Sequence, residues 1–278
     1  MVNFRGLQRL GLLLLMAALV IGCTRQIVKL NDGQPVEFEG MMGELKGARV
    51  IFVGEAHDEE AHHQAQLDII RALDEKGIPL AIGLEMFPAE NQRYLDHWVA
   101  GRLDAGSFKS VFMNNWKVNW WFYEDIFLYA RDHKIPLIGL NIPKPIMHKV
   151  YTQGFAALSE QERHGLPVEI SCDSSDPYTA KMRKFYKRHS SNTGTFDYFC
   201  EAQTLWNRGM ALRIADYLKR EPSRVMVVLA GGAHAMKQGI PWQMAKYGDF
   251  DCRVVLPGIE GLFATEVTFS DADYFIDE

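Results

Sequence analysis

Two short segments, Gly54-Glu55-Ala56-His57 and Gly231-Gly232-Ala233-His234, each set a histidine three residues after a glycine at the end of an apolar run. Glu85 and Asn141 directly follow two further apolar runs. Imidazoles and carboxylates are the side chains of proton transfer and of divalent-metal ligation, and a carboxamide beside them orients or binds. A lone histidine after a strand is also often an ordinary hydrogen-bonded loop residue, so the four gain meaning only if the fold brings them together.

The elements that would do so are legible. Arg49 to Val53 and Val225 to Ala230 are too continuously apolar for a strand with one wet face and read as buried parallel strands. Ile78 to Leu84 and Ile135 to Leu140 behave alike. Glycines at the ends of such strands allow a sharp turn, so His57, Glu85, Asn141 and His234 are delivered to the carboxyl-end rim, where open α/β sheets bind ligands. A helix is expected over 59–76, ended by Gly77, and a second over 88–101. His62 and His63, being adjacent on the first, diverge by about 100° and do not both serve one ion, whereas His63 and Gln66 share a face. The sheet is expected to finish with 253–256 and an edge strand over 263–269, after a short helix opened by Gly239-Ile240-Pro241.

From Leu103 to Glu221 the sequence turns aromatic and helical, with Trp116, Trp120, Trp121, Phe122, Tyr123, Phe127 and Tyr129 crowded into fourteen residues. Such stripes are more often core than a cofactor wall. The stretch 142–222 is long enough for a lobe of several helices over the rim, the clearest being 196–219 with Phe199, Gln203, Trp206, Met210 and Ile214 at helical spacing. Gln203 and Asn207 lie at i and i+4 in that helix, and buried amides need partners, protein or ligand. The fold class expected is thus α/β: a mostly parallel sheet flanked by helices, with an inserted helical lobe.

The first residues speak to compartment. Arg5 and Arg9 precede an apolar stretch, Leu10 to Ile21, too short for a membrane span, and Val20-Ile21-Gly22 precedes Cys23. This resembles the lipobox of bacterial lipoproteins, implying a leader over 1–22, diacylation (palmitate) of Cys23, and an anchored rather than spanning protein, with Thr24 compatible with the outer membrane. A tether over 23–47, with a hairpin at Asn31-Asp32-Gly33, would then precede the main domain, 48–278. Without the leader 28 basic and 35 acidic residues remain, and no basic arm suggests nucleic acid. Cys172, Cys200 and Cys252 allow a Cys172–Cys200 disulfide without dictating it. There is no Cys-x-x-Cys-His for covalent haem.

Taken together, Gly54-Glu55-x-His57 with His62-His63-x-x-Gln66, Gly83-Leu84-Glu85-Met86-Phe87, Leu140-Asn141-Ile142-Pro143, Glu201-Ala202-Gln203 with Trp206, and Ala230-Gly231-Gly232-x-His234 resemble the ChaN family. These are haem-binding, iron-regulated lipoproteins of the wider Tiki, TraB and erythromycin-esterase superfamily. The resemblance spans residues 48–256. It implies haem (iron protoporphyrin) as cofactor, a role in haem or iron uptake or storage, a homodimer holding haem between subunits, an axial tyrosine, and an outer-membrane haem receptor as partner.

No motif selects the tyrosine. Tyr151, Tyr178, Tyr186 and Tyr198 all lie in the expected lobe; phenolate suits ferric iron, while His189 or Met182 are other axial donors. Gln203 and Asn207 are further candidates for cofactor contact. The same superfamily resemblance supports an alternative, a metal-dependent hydrolase (protease or esterase) in which His57, His234 and Glu55 or Glu85 hold a divalent ion with an open position for water. A metal-free variant gives Glu55 or Glu85 the part of general base, with His57 or His234 its partner. His63, Gln66 and Asn141 complete the rim.

Overall fold

The computed structural model describes residues 26–173, 175, 177–188, 195–259 and 267–277. The chain opens with a hairpin, β1 (Gln26–Lys29) and β2 (Gln34–Val36), and α1 (Phe38–Leu45). Then follow β3 (Val50–Glu55), α2 (Glu60–Asp74), β4 (Leu80–Pro88), α3 (Gln92–Val99), α4 (Ala105–Asn115), α5 (Trp121–Asp132) and β5 (Leu137–Asn141). The next stretch is helical: α6 (Lys144–Gln153), α7 (Glu160–Arg163), α8 (Pro177–Arg188) and α9 (Phe196–Arg220). The chain closes with β6 (Val225–Gly231), α10 (Gly232–Ala235), α11 (Ile240–Met244), β7 (Cys252–Pro257) and β8 (Tyr274–Asp277).

The strands form one eight-stranded sheet in the order β2-β1-β8-β7-β3-β6-β4-β5. Pairing is parallel from β8 to β5, and the β1/β2 and β1/β8 ladders are antiparallel. Every residue of β3, β4 and β6 is buried, as continuously apolar parallel strands require. Alternation divides them between two cores. Ile51, Val53, Ile82, Leu84, Val227 and Leu229 face α1, α2, α4 and α5, while Val50, Phe52, Ala81, Met226 and Val228 face α9, α10 and α11.

The first core is strongly aromatic. Trp98 stacks on Phe108 with ring centroids 4.4 Å apart, and its indole N–H donates to the Phe127 carbonyl at 2.8 Å. The aromatic run after Leu103 therefore packs on the sheet. The helical lobe begins at Ile142, where Ile142, Met147, Val150, Phe155, Leu158 and Ile170 close on Ala202 and Leu205 of α9. A Cys172–Cys200 disulfide ties the segment ahead of α8 to α9. Cys252 is free, and burial pushes its thiol up to about 12.

Three expectations need correction. The segment expected as a tether over 23–47 is, from Gln26 onward, part of the domain: its hairpin extends the sheet through β8, and Met41, Met42 and Leu45 are fully buried. The edge strand expected over 263–269 is absent from its described part. There Thr268 and Asp271 bond to one another's backbone, a local alternative to a ladder, and the closing strand is β8. The apolar run from Ile78 continues past Leu84, so Glu85 lies inside β4, at the register shift between Leu84 and Pro88 opposite β5. Cys23 and the leader lie outside the described residues, as does His189. No helix among the described residues is long and apolar enough to cross a membrane.

Candidate functional site

Glu55 is the last residue of β3 and shares the parity of Ile51 and Val53, so its carboxylate turns toward α2 and α5. It is buried there among donors. His57 Nδ1 lies 2.8 Å from one oxygen, which also accepts the Tyr123 hydroxyl, and Gln66 Nε2 donates to the other at 2.7 Å. His63 stands 3.6 Å from that second oxygen, bonds the His57 carbonyl through Nε2 at 3.1 Å, and pairs with Gln66 through Nδ1 at 3.2 Å. His62 points elsewhere, to the Ala56 N–H and the Gly258 carbonyl, as adjacent positions on a helix require.

A second carboxylate, Glu85, comes from β4 on the far side of Gly231. Its Oε2 accepts the Gly231 N–H at 2.7 Å and its Oε1 lies 3.7 Å from His234 Nε2. Gly231 leaves room for the His57 ring, since a Cβ would sit 2.9 Å from His57 Cε1, while Glu85 Oε2 at 3.7 Å would be in ordinary contact. The two histidines thus flank one glycine, with Glu85 between. His234 Nδ1 is 2.7 Å from Asn207 Oδ1, and because that oxygen can only accept, the ring carries its proton on Nδ1 and turns a lone pair at Nε2 toward Glu85. Asn141 closes the rim, donating to the Glu85 carbonyl at 2.6 Å and accepting from the Trp206 indole. Trp116 meets His57 edge-on at 4.8 Å, and Trp206 packs at 5.3 Å from His234.

The surroundings drive the titrating groups apart. Burial alone would raise Glu55, but the His57 hydrogen bond, the neighbouring His63 and His57 imidazoles and the Tyr123 hydroxyl outweigh it and hold the carboxyl below its ordinary range. Burial also opposes charge on His57, yet the bond to Glu55 and the carboxylates of Glu85, Glu55 and Asp58 raise it to about 9. His234 is lowered, chiefly by burial and further by His57, against the pull of Glu85. Burial and the Glu55 charge push the Tyr123 phenol far up, so it remains a donor. Near neutral pH the crevice pairs a protonated His57 with a neutral His234, the separation that acid–base chemistry needs.

His57, Glu55, Glu85, His234, His63, Gln66 and Asn141 therefore converge, and Asn207 joins them. Gln203, one turn earlier on α9, turns instead to the lobe, 3.4 Å from the Tyr178 hydroxyl. Tyr178 and Met182 are buried. Tyr151 and Tyr186 are half-buried and both pack on Phe199, at 6.1 and 5.2 Å, with Phe196 5.6 Å from Tyr186. Burial, then the neighbouring Tyr186, raises the Tyr151 phenol. Tyr198 lies apart, its ring against Gly154, whose φ of +84° and lack of a side chain admit it.

The metal set expected of His57, Glu55 and His234 does not form. Among the described residues no three His, Cys, Asp or Glu side chains are arranged to hold an ion. Glu55 spends its oxygens on His57, Tyr123 and Gln66. Sequence reasoning also misses Tyr123, whose only signal is one hydroxyl on the buried face of α5, otherwise formed by Ile126, Phe127 and Ala130.

Comparisons with known proteins agree with this architecture. Residues 41–244 match the family model described as haem-binding uptake, Tiki superfamily, ChaN. The solved structure of cofacial haem binding to ChaN of Campylobacter jejuni is similar, with a TM-score of 0.72 at 23% identity over 91% of this chain and 96% of that one. The type III effector HopBA1 (TM-score 0.52, 11% identity, 86% and 91% covered) and an H289N mutant of the erythromycin esterase EreC (0.51, 14%, 91% and 82%) share the fold. Protein RETICULATA-RELATED 5, chloroplastic, of Arabidopsis thaliana is 32% identical over 126 residues, 43% of this chain, and the chain spans only 17% of that relative's length. With three quarters of its length matched by the family model, the chain belongs to the ChaN family of haem-binding uptake proteins in the Tiki superfamily.

Proposed function

We propose that this chain binds ferric haem on its helical lobe as a lipid-anchored homodimer of the bacterial envelope. One observation carries the placement: Tyr151 of α6 and Tyr186 of α8 meet, half-buried, over Phe199, with Phe196 adjacent. A porphyrin needs an apolar face, an axial donor and cations for its propionates, and this patch offers each. Phenols are hard anionic donors for ferric iron once deprotonated. The Arg183 guanidinium lies 3.8 Å over the Phe196 ring. Arg183 and Lys184 of α8, both exposed, supply positive charge beside the patch, which complements an anionic ligand. In this reading the rest follows the family: anchoring through Cys23 at the outer membrane, haem held between two subunits, and exchange with an outer-membrane haem receptor in iron uptake.

The experiment is a visible-absorption titration of the soluble domain with ferric haem, beside its sedimentation mass. A saturable high-spin, tyrosinate-like spectrum with haem-dependent dimerisation is expected, with the charge-transfer band lost in Tyr151→Phe or Tyr186→Phe and kept in Tyr198→Phe. Saturation unaffected by either variant removes these tyrosines from the reading, and no saturation removes the reading itself.

A second reading rests on the rim: protonated His57 as general acid and neutral His234, with Nε2 free of its proton, as general base in metal-free hydrolysis. Turnover of an activated ester in chelator, abolished in His234→Asn and His57→Asn alike, supports it. Turnover insensitive to both variants refutes it.

A further inference from the structure

A cleft of 360 Å³ opens on a part of the molecule that neither the rim nor the lobe tyrosines use, between α9, the α11 turn and the segment leading to α8. It falls in the size range of small-molecule sites, about 300–1,000 Å³. We infer that it binds a sugar ring.

Three observations converge there. Gln243 is 95% buried and lines the cleft, and its Oε1, itself closed off from solvent, has no hydrogen-bond partner among the described residues. Buried acceptors are nearly always paired, so this one calls for a donor arriving in the cleft. Glu169, which also lines the cleft, holds a φ of +62°, a conformation that residues other than glycine rarely adopt, and the Arg208 guanidinium fixes it by donating to its carbonyl. Non-glycine residues in that region cluster at ligand clamps. Trp242 stands at the cleft with 56% of its surface exposed, a flat apolar face beside an otherwise polar wall.

The charges decide among ligand classes. Arg208 and Lys246 are balanced by Glu169 and Asp173 around the same space. A phosphate or dicarboxylate would face the two carboxylates, and an apolar ligand would leave the Gln243 amide oxygen and the Thr204 hydroxyl unmatched. A neutral sugar fits both requirements. Its hydroxyls donate to Gln243 Oε1 and Glu169 and accept from Lys246, Arg208 and Thr204, while its C–H face covers the Trp242 indole. This site is independent of the haem reading.

The test follows the indole N–H signals of protein carrying ¹⁵N-tryptophan during titration with glucose, galactose and N-acetylglucosamine, the Trp242 signal being assigned with Trp242→Phe. A saturable shift confined to Trp242, with millimolar dissociation constant for at least one sugar, is expected. Gln243→Leu should weaken it about tenfold, one lost hydrogen bond to a buried group, and Lys246→Ala, an exposed change that spares the core, should weaken it as well. The haem titration of both variants should be unchanged. No saturable shift with any sugar overturns the inference, as does a Trp242 shift produced by inorganic phosphate or glutamate and not by sugars.

Discussion

Replacing Glu55 with glutamine tests the electrostatic heart of the rim. The change keeps shape and removes a buried charge that receives His57, Tyr123 and Gln66. His57 should then titrate well below its raised value of about 9, toward the ordinary 6.5. Taken whole, that interval corresponds to about 3 kcal/mol of preference for the charged ring. The ring's side chain is 38% exposed, so solvent screening reduces its share in folding to about 1–2 kcal/mol. The sign is fixed by linkage. A group whose pKa rises on folding contributes fully below 6.5, and the contribution fades as pH climbs through 9. Wild-type protein should therefore lose stability between pH 7 and 10 relative to Glu55→Gln, as read by urea unfolding at several pH values. The His57 ring signals, followed by ¹H–¹⁵N NMR, should show the midpoint directly. A wild-type midpoint at or below 7, or one that Glu55→Gln leaves in place, would refute the reasoning.

Other expectations follow from the same contacts. Gly231→Ala and Gly239→Ala should part company: the first presses only on the movable His57 ring and should shift that ring's NMR signals with little loss of stability. The second sets a Cβ 2.2 Å from the His234 carbonyl and should lower thermal stability by about 3 kcal/mol or more. Reducing Cys172–Cys200, which encloses α8 across a separation of 28 residues, should cost about 3–4 kcal/mol in urea, with Cys252→Ser behaving as wild type. Phe108→Ala opens a fully buried site stacked on Trp98 and should cost about 3–5 kcal/mol, measurable by calorimetry.

How much of this was legible beforehand depends on the range of the interactions. The parallel strands could be read because burial on both faces writes itself as an unbroken apolar run, and Gly-x-x-His marks the turn each must make at its end. The limits of those runs were less secure. Glu85 looked like a residue after a strand because a carboxylate interrupts the apolar pattern, yet β4 carries it inside, where the shifted pairing with β5 and the Gly231 N–H accommodate it. The final strand was misplaced for the opposite reason: Val267 and Phe269 look extended, but Thr268 and Asp271 satisfy one another locally.

The division of the rim into two halves was beyond the sequence, although half of its cause was present there. Parity along β3 already assigns Glu55 to the side of Ile51 and Val53. Nothing local says which helices cover that side, and so nothing local could name Tyr123, 68 residues away, as the donor that completes the Glu55 cluster. The same argument separates Gln203 from Asn207. One turn apart on α9, they share a stripe, yet the helix passes from lobe to sheet between them, so one amide meets Tyr178 and the other fixes the proton of His234. Since α9 carries both contacts, it is the element through which occupancy of the lobe could reach the rim. If haem binding at Tyr151 and Tyr186 moves α9, the His234 ring signals should shift on haem addition, and in Asn207→Ala that response should disappear while haem affinity is kept. A His234 signal indifferent to haem in the wild type would show the two sites to be uncoupled.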